Sequence, residues 1–130
     1  MRALIFASDT NLASSLYEAA MAFYPVNLPV FCMDKSHELD FSKLEDYEEW
    51  AVLTDDANSN ASLKILEIME KRKGSYLYLS NANVAMAVAA FTFINETDTL
   101  DELKETLLAQ AKAGMQGYTG KGDENDVKRT

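Results

Sequence analysis

Three short apolar runs are each followed by aspartate: Ala3–Ala7 by Ser8-Asp9-Thr10, Leu28–Met33 by Asp34-Lys35, and Trp50–Leu53 by Thr54-Asp55-Asp56. A fourth run, Tyr76–Leu79, is followed by Ser80-Asn81-Ala82-Asn83. Carboxylates accept hydrogen bonds from backbone amides, repel one another when close, hold hard cations and form acyl phosphates. Ser, Thr, Asn and Asp also cap helices and form turns whether or not a site is present. Each of these residues taken singly reads as a cap; together they mark one polar edge. Two other reactive side chains occur once each. His37, in Lys35-Ser36-His37-Glu38, is a candidate phosphoryl carrier or general base, and its charged flanks read first as a solvated loop. Cys32 lies inside an apolar run and reads as packed core rather than nucleophile. A single Cys also forbids an intramolecular disulfide and a Cys-rich zinc site.

The elements that position these residues follow from the apolar spacing. Ala3–Ala7 is continuous, as in a strand buried on both faces. Leu12, Leu16, Ala19, Ala20 and Phe23 recur at helical spacing, with Thr10 or Asn11 as N-cap and Pro25 past the end. Leu28–Met33 is a second strand. Phe41, Leu44 and Tyr47, with or without Trp50, form one stripe of a short helix whose other face is the acidic Glu38, Asp40, Glu45, Asp46, Glu48 and Glu49. Trp50–Leu53 is a third strand. Asn58 or Ser59 caps a helix with the stripe Leu63, Leu66, Ile68 and Met69, ending at Lys71-Arg72-Lys73-Gly74. Tyr76–Leu79 is a fourth strand, and Ala82–Phe93 an apolar helix. Thr97 or Asp98 caps a last helix through about Ala113, with Leu100, Leu103, Leu107 and Leu108 inward. Strands alternating with helices predict an α/β fold: a doubly wound, mainly parallel four-stranded sheet with helices on both faces. One domain spans residues 1–118, and residues 119–130 read as a disordered tail. In such a sheet ligands bind beyond the carboxyl ends of the strands, where the aspartates stand.

Composition narrows the chemistry. The 130 residues carry 21 acids against 12 bases, a net charge of −9, which argues against a nucleic-acid partner. No Gly occurs before Gly74, so neither a dinucleotide fingerprint nor a P-loop follows the first strand. A helix N-terminus could still take a phosphate, but Asp9 would repel it. No cofactor and no metal is expected. No apolar run approaches the roughly 18–20 residues of a membrane span, and the start lacks the features of a signal peptide, so a cytoplasmic protein is expected.

Several segments together are similar to the IIA domains of the mannose family of the bacterial phosphoenolpyruvate-dependent sugar phosphotransferase system. Ile5-Phe6-Ala7-Ser8-Asp9-Thr10 and Leu12-Ala13-Ser14-Ser15-Leu16-Tyr17-Glu18-Ala19-Ala20 resemble that family's first strand, its Ser-His-Gly turn and the helix after it. Leu53-Thr54-Asp55 with Asn60-Ala61-Ser62 resembles its third-strand exit, and Asn83-Val84-Ala85-Met86 its Asn-x-Pro-Met helix start, without the Pro. Leu100-Asp101-Glu102-Leu103 and Ala111-Lys112-Ala113-Gly114 agree in spacing with its last helix. The likeness covers about residues 1–118.

The resemblance implies a homodimer whose active edge holds Asp9 and Asp55 at the positions of the family's phosphorylated His and its supporting Asp. Ser8, Thr10, Asp56, Asn58, Ser59 and Asn83 would be the phosphoryl- or partner-binding residues. It implies as partners the histidine phosphocarrier protein or a IIB subunit, with the membrane reached only through a IIC/IID partner. Asp9 replaces the His, Thr10 the Gly, and the Gly-rich turn after Asp55 is shortened to Asp56-Ala57-Asn58-Ser59. These departures together imply a degenerate member that binds partners without carrying phosphate on His. Asp9 would then either imitate the phosphorylated state in part or serve as a helix cap. Two adjacent carboxylates would raise the pKa of one or invite a cation. The alternative is a divergent receiver-like signalling domain with Mg²⁺ at the acidic edge, bound by Asp9 and Asp55 or Asp56, with Ser80 nearby. Receivers also need a fifth strand bearing Lys, and no such strand follows Phe93.

Overall fold

The computed structural model describes residues 1–122 and 127–129. In chain order the elements are β1 (Arg2–Ala7), α1 (Leu12–Phe23), β2 (Val30–Met33), a 3₁₀ turn (Phe41–Leu44), β3 (Glu49–Thr54), α2 (Asn60–Lys71) and β4 (Ser75–Leu79). Then follow α3 (Val84–Phe93), α4 (Leu100–Ala113), β5 (Tyr118–Gly120) and β6 (Val127–Arg129). The main sheet has the order β2-β1-β3-β4, and every pairing in it is parallel. This is the expected doubly wound α/β architecture. β1 is buried along its whole length, as its unbroken apolar run requires of a central strand covered on both faces.

The period-2 alternation of the strands divides the core into two layers. Leu4, Phe6, Ala51, Leu53, Leu77 and Leu79 point to one face and meet α1, α3 and α4. Ala3, Ile5, Ala7, Trp50 and Val52 point to the other and meet α2 and Leu44. Full burial of each large aliphatic side chain contributes about 1.5–3 kcal/mol, so these layers hold the sheet.

Some expected faces are shifted. On α2 the buried positions are Ala61, Ser62, Ile65 and Met69, whereas Leu63 is 56% exposed. The face that meets the sheet begins with two small residues, and small residues add little to an apolar stripe. On α4, Leu103, Leu107 and Ala111 point inward and Leu108 is exposed; the N-cap is Thr99, whose hydroxyl accepts from the Glu102 amide, not Thr97 or Asp98. The stripe Phe41, Leu44, Tyr47 is not one helix, and Trp50 stands in the third strand, as the run Trp50–Leu53 implied. A single 3₁₀ turn covers Phe41–Leu44, and the Trp50 indole N–H donates to the Leu44 and Tyr47 carbonyls. Parallel pairing with β1 claims Glu49 and Trp50, so no residues remain for a longer helix. β2 begins only at Val30; the carbonyl of Pro29 accepts from Leu4, while proline has no N–H to continue the ladder.

β5 and β6 straddle the boundary at residue 118 and form an antiparallel pair: Tyr118 opposite Arg129, Thr119 opposite Lys128 and Gly120 opposite Val127, the last two pairs falling in the segment read as a disordered tail. The rest of that reading, at residues 123–126 and 130, falls outside the described residues.

Candidate functional site

The strand order sets the site. The chain runs from β1 outward to β2 on one side, then crosses to β3 on the other. The order in which strands are added therefore reverses between β1 and β3, and the crevice beyond their carboxyl ends is where doubly wound sheets bind ligands. Asp9 leaves β1 and Asp55 leaves β3 at that crevice. The Asp9 amide donates to Asp55 Oδ2 at 3.1 Å.

The Asp9 side chain crosses to α2. Its Oδ2 accepts from the Asn60 amide at 3.0 Å and its Oδ1 from the Ala61 amide at 2.8 Å. Ser59 Oγ accepts from the Ser62 amide at 3.1 Å, the ordinary N-cap bond. The Ser59 amide donates to the Asp56 carbonyl at 3.1 Å. All four N-terminal amides of α2, which a helix leaves unpaired, thus have acceptors. Two of these are oxygens of a carboxylate from a different strand, set where the helix dipole favours negative charge.

Asp55 is held as an anion. Burial pushes its carboxyl up, but hydrogen bonds from Ser59 and from the Asp9 and Asp56 amides outweigh that and bring it below the usual carboxylate range. The expected rise from carboxylate repulsion therefore does not occur at Asp55, because amide donors stand between the two acids. Asp56 turns back on its own loop, its Oδ1 accepting from the Asn58 amide and its carbonyl from the Ser62 hydroxyl.

The other singled-out residues divide between this crevice and the neighbouring helix starts. Ser8 is buried; its hydroxyl donates to the Thr10 carbonyl at 2.7 Å and accepts from the Ala13 amide at 2.9 Å, anchoring the start of α1. Thr10 Oγ1 accepts from the Leu12 amide at 3.3 Å. Asn83 caps α3, its Oδ1 accepting from the Met86 amide and its Nδ2 donating to the Ala111 carbonyl. It belongs to the opposite face from α2 and does not line the crevice. The crevice opens into a groove of about 220 Å³ lined by Ser8, Asp9, Met33, Asp34, Lys35, Asn60, Ala61 and Lys64. Lys35 and Lys64 are its cations; Lys35 stands in the strand-end pattern, whereas Lys64, inside α2, does not. A larger cavity of about 590 Å³ lies beside Glu49, Arg72 and Ser75, at the amino ends of the strands. It is at the edge opposite the crevice and is built from strand starts.

No protein-family model and no curated protein matches this sequence. Solved structures do match. Phosphotransferase system component EIIA from Streptococcus agalactiae superposes with a TM-score of 0.74 at 16% identity, over 88% of this chain and 95% of that one. The mannose/sorbose specific IIA subunit of the phosphotransferase system from Enterococcus faecalis gives 0.67 at 18% identity, over 88% and 92%. The PTS IIA protein associated with the fucose utilization operon of Streptococcus pneumoniae gives 0.67 at 16% identity, over 88% and 90%. This chain shares their fold. The superpositions cover most of each protein.

Among the described residues no group of three His, Cys, Asp or Glu side chains is placed to hold a metal ion, and no helix is long and apolar enough to cross a membrane. The main sheet has four strands, and the strands after α4 form a separate antiparallel pair. The fifth parallel strand that a receiver requires is therefore not part of this sheet.

Proposed function

We propose that this chain is a IIA-like component of a bacterial sugar phosphotransferase system that binds its partners without carrying phosphate at the exit of the first strand. One observation carries the reading. The Asp9 carboxylate occupies the two α2 amides, of Asn60 and Ala61, that would otherwise offer an anion its donors. A phosphoryl group entering this crevice would meet a negative side chain and amides already in use. Asp9 acts as the protein's own anion, with one negative charge against the roughly two of a phosphate, and so imitates a phosphorylated state in part. Asp9 and Asp55 are then the residues of the former transfer site. Ser8, Thr10, Asp56, Asn58 and Ser59 hold its loops, and Asn83 sets the start of α3. The partners are the histidine phosphocarrier protein or a IIB subunit, the working form is a cytoplasmic homodimer, and the membrane is reached only through a IIC/IID partner.

Titration calorimetry of the purified chain with phosphocarrier protein and with IIB subunit tests this. Saturable binding to one of them, weakened by Asp9→Lys, supports the reading, and absence of binding to both overturns it. Incubation with phosphoenolpyruvate, enzyme I and phosphocarrier protein tests the loss of transfer. Phosphate mapped to Asp9 or Asp55 would show that the crevice still transfers.

A further inference from the structure

We propose that His37 is a phosphoryl-accepting modification site, its Nε2 presented to donors by the buried Asp34 carboxylate at the exit of β2. The chemistry stands on the geometry of this pair; only its regulatory consequence rests on the partner-binding role proposed above.

The Asp34 side chain is completely buried, while His37 is 55% exposed. Asp34 Oδ2 accepts from the Ser14 amide at 3.0 Å and the Ser14 hydroxyl at 2.6 Å. Oδ1 accepts from the Ser36 amide at 3.0 Å and faces His37 Nδ1 at 2.8 Å. The turn itself is fixed. The Asp34 amide donates to the His37 carbonyl at 3.0 Å, the Lys35 amide to the Thr10 carbonyl, and the Ser36 hydroxyl to Asn11 Oδ1 at 2.8 Å. The imidazole is thus seated on a turn tied to the start of α1. An ionised carboxylate can only accept, so Nδ1 carries the proton and the neutral ring has its lone pair on Nε2. A carboxylate behind the ring also stabilises the positive charge that forms there when Nε2 attacks.

The donor class is a phosphoramidate, such as phosphohistidine on another protein. The Nε2 lone pair forms the new P–N bond. The donor's P–N bond breaks, its electron pair returns to the donor nitrogen, and that nitrogen takes a proton from solvent. The Nδ1–H bond of His37 is kept throughout, still donating to the ionised Asp34 carboxylate, and the ring takes one positive charge. Asp34 and Lys35 also line the Asp9 groove, so the roughly 1.5–2 negative charges of the phosphoryl group, offset in part by the ring, add net negative charge beside the proposed partner face. Modification there would regulate docking.

The test uses the full chain and potassium phosphoramidate at mildly alkaline pH, read by ³¹P NMR and peptide mapping. The expected result is an Nε2-phosphohistidine at His37, formed at least about tenfold faster than in the same chain unfolded in urea, absent in His37→Asn, and slowed to the unfolded rate in Asp34→Asn. Labelling no faster than in the unfolded chain, label on Nδ1, or a folded Asp34→Asn variant that labels at the full rate would overturn the proposal. If Asp34→Asn fails to fold, the rate ratio and the isomer in the unaltered chain decide alone. This assay contains no partner protein, so failure of the partner-binding reading would leave its result unchanged.

Discussion

Replacing Asp9 with Ala removes two carboxylate–amide hydrogen bonds and nothing from the hydrophobic core. Each such bond is charge-assisted and contributes about 1.5–3 kcal/mol where water is excluded. Asp9 lies at the surface, so water replaces part of each contact. Truncating an ordinary N-cap, which removes one bond of the same kind, costs about 1 kcal/mol. Two amides, one of them at the buried Ala61, together with the helix-dipole contribution of about 0.3–1 kcal/mol, bring the expected loss to about 2–3 kcal/mol. For a chain of this length the melting temperature should fall by about 7–11 °C. Asp9→Asn, which keeps one acceptor oxygen and no charge, should fall between the two. The assay is urea and thermal unfolding by far-ultraviolet circular dichroism, with chloride and phosphate buffers matched in ionic strength. Phosphate should raise the melting temperature of Asp9→Ala by binding the freed amides, and leave the unaltered chain unchanged. If Asp9→Ala is within about 0.5 kcal/mol of the unaltered chain, or phosphate stabilises both proteins equally, then Asp9 does not act as the internal anion of α2.

Three other outcomes follow from single contacts. A Cβ at Gly74 would run into the Glu48 carbonyl and the Arg72 guanidinium, which lies 4.0 Å over the Trp50 ring and donates to the Tyr47 carbonyl at 2.7 Å. Gly74→Ala should therefore cost about 1–3 kcal/mol in urea unfolding and shift Trp50 fluorescence; a neutral effect would mean that the stack is not needed. The Cys32 thiol is pushed up to about 11, by burial first and then by Asp34 and Glu18. Alkylation by iodoacetamide near neutral pH should be about 100-fold slower than for an ordinary thiol and recover on unfolding, and equal rates in both states would refute it. Burial raises the Asp34 carboxyl, but hydrogen bonds from Ser14, His37 and Ser36 outweigh it and hold the group at about 2, against an ordinary 3.8. The unfolded chain then takes up the proton first, so this stability is complete above the ordinary carboxylate range and lost as pH falls toward about 2. Asp34→Asn should lack that component, and parallel acid-unfolding curves for the two proteins would contradict it.

The polar edge was readable in one dimension because parallel strands end where their apolar runs end. Ala7, Met33 and Leu53 are followed within two residues by Asp9, Asp34 and Asp55, and all three stand at the carboxyl end of the sheet. The Ser59 cap and the apolar α3 were visible for similar local reasons. The inward face of α2 was not, because Ala61 and Ser62 are too small to mark a stripe and Leu63 is a large apolar residue left in water. The short helix expected across Phe41–Trp50 failed because an i, i+3 pair at Tyr47 and Trp50 fits helical spacing equally well when the second residue is in a strand. Thr99 was passed over because three consecutive residues, Thr97, Asp98 and Thr99, can all cap.

The count of one histidine and the Asp at position 9 are matters of the chain alone, and they decide which nucleophiles are possible. Their roles depend on contacts between residues far apart in sequence. Asp9 meets Asn60 and Ala61 because β3 pairs with β1 and α2 packs against the same strands, which brings a carboxylate and a helix start together across about fifty residues. His37 read as a solvated loop residue because its neighbours are charged. Its ring is half exposed, yet Nδ1 is fixed, because the fold buries Asp34 under the start of α1, where Ser14 and Ser36 complete the carboxylate's bonds. Local sequence sets which groups are present and where strands stop. Long-range pairing sets which donor each carboxylate finds, and so whether it acts as a base, a cap or an orienting partner.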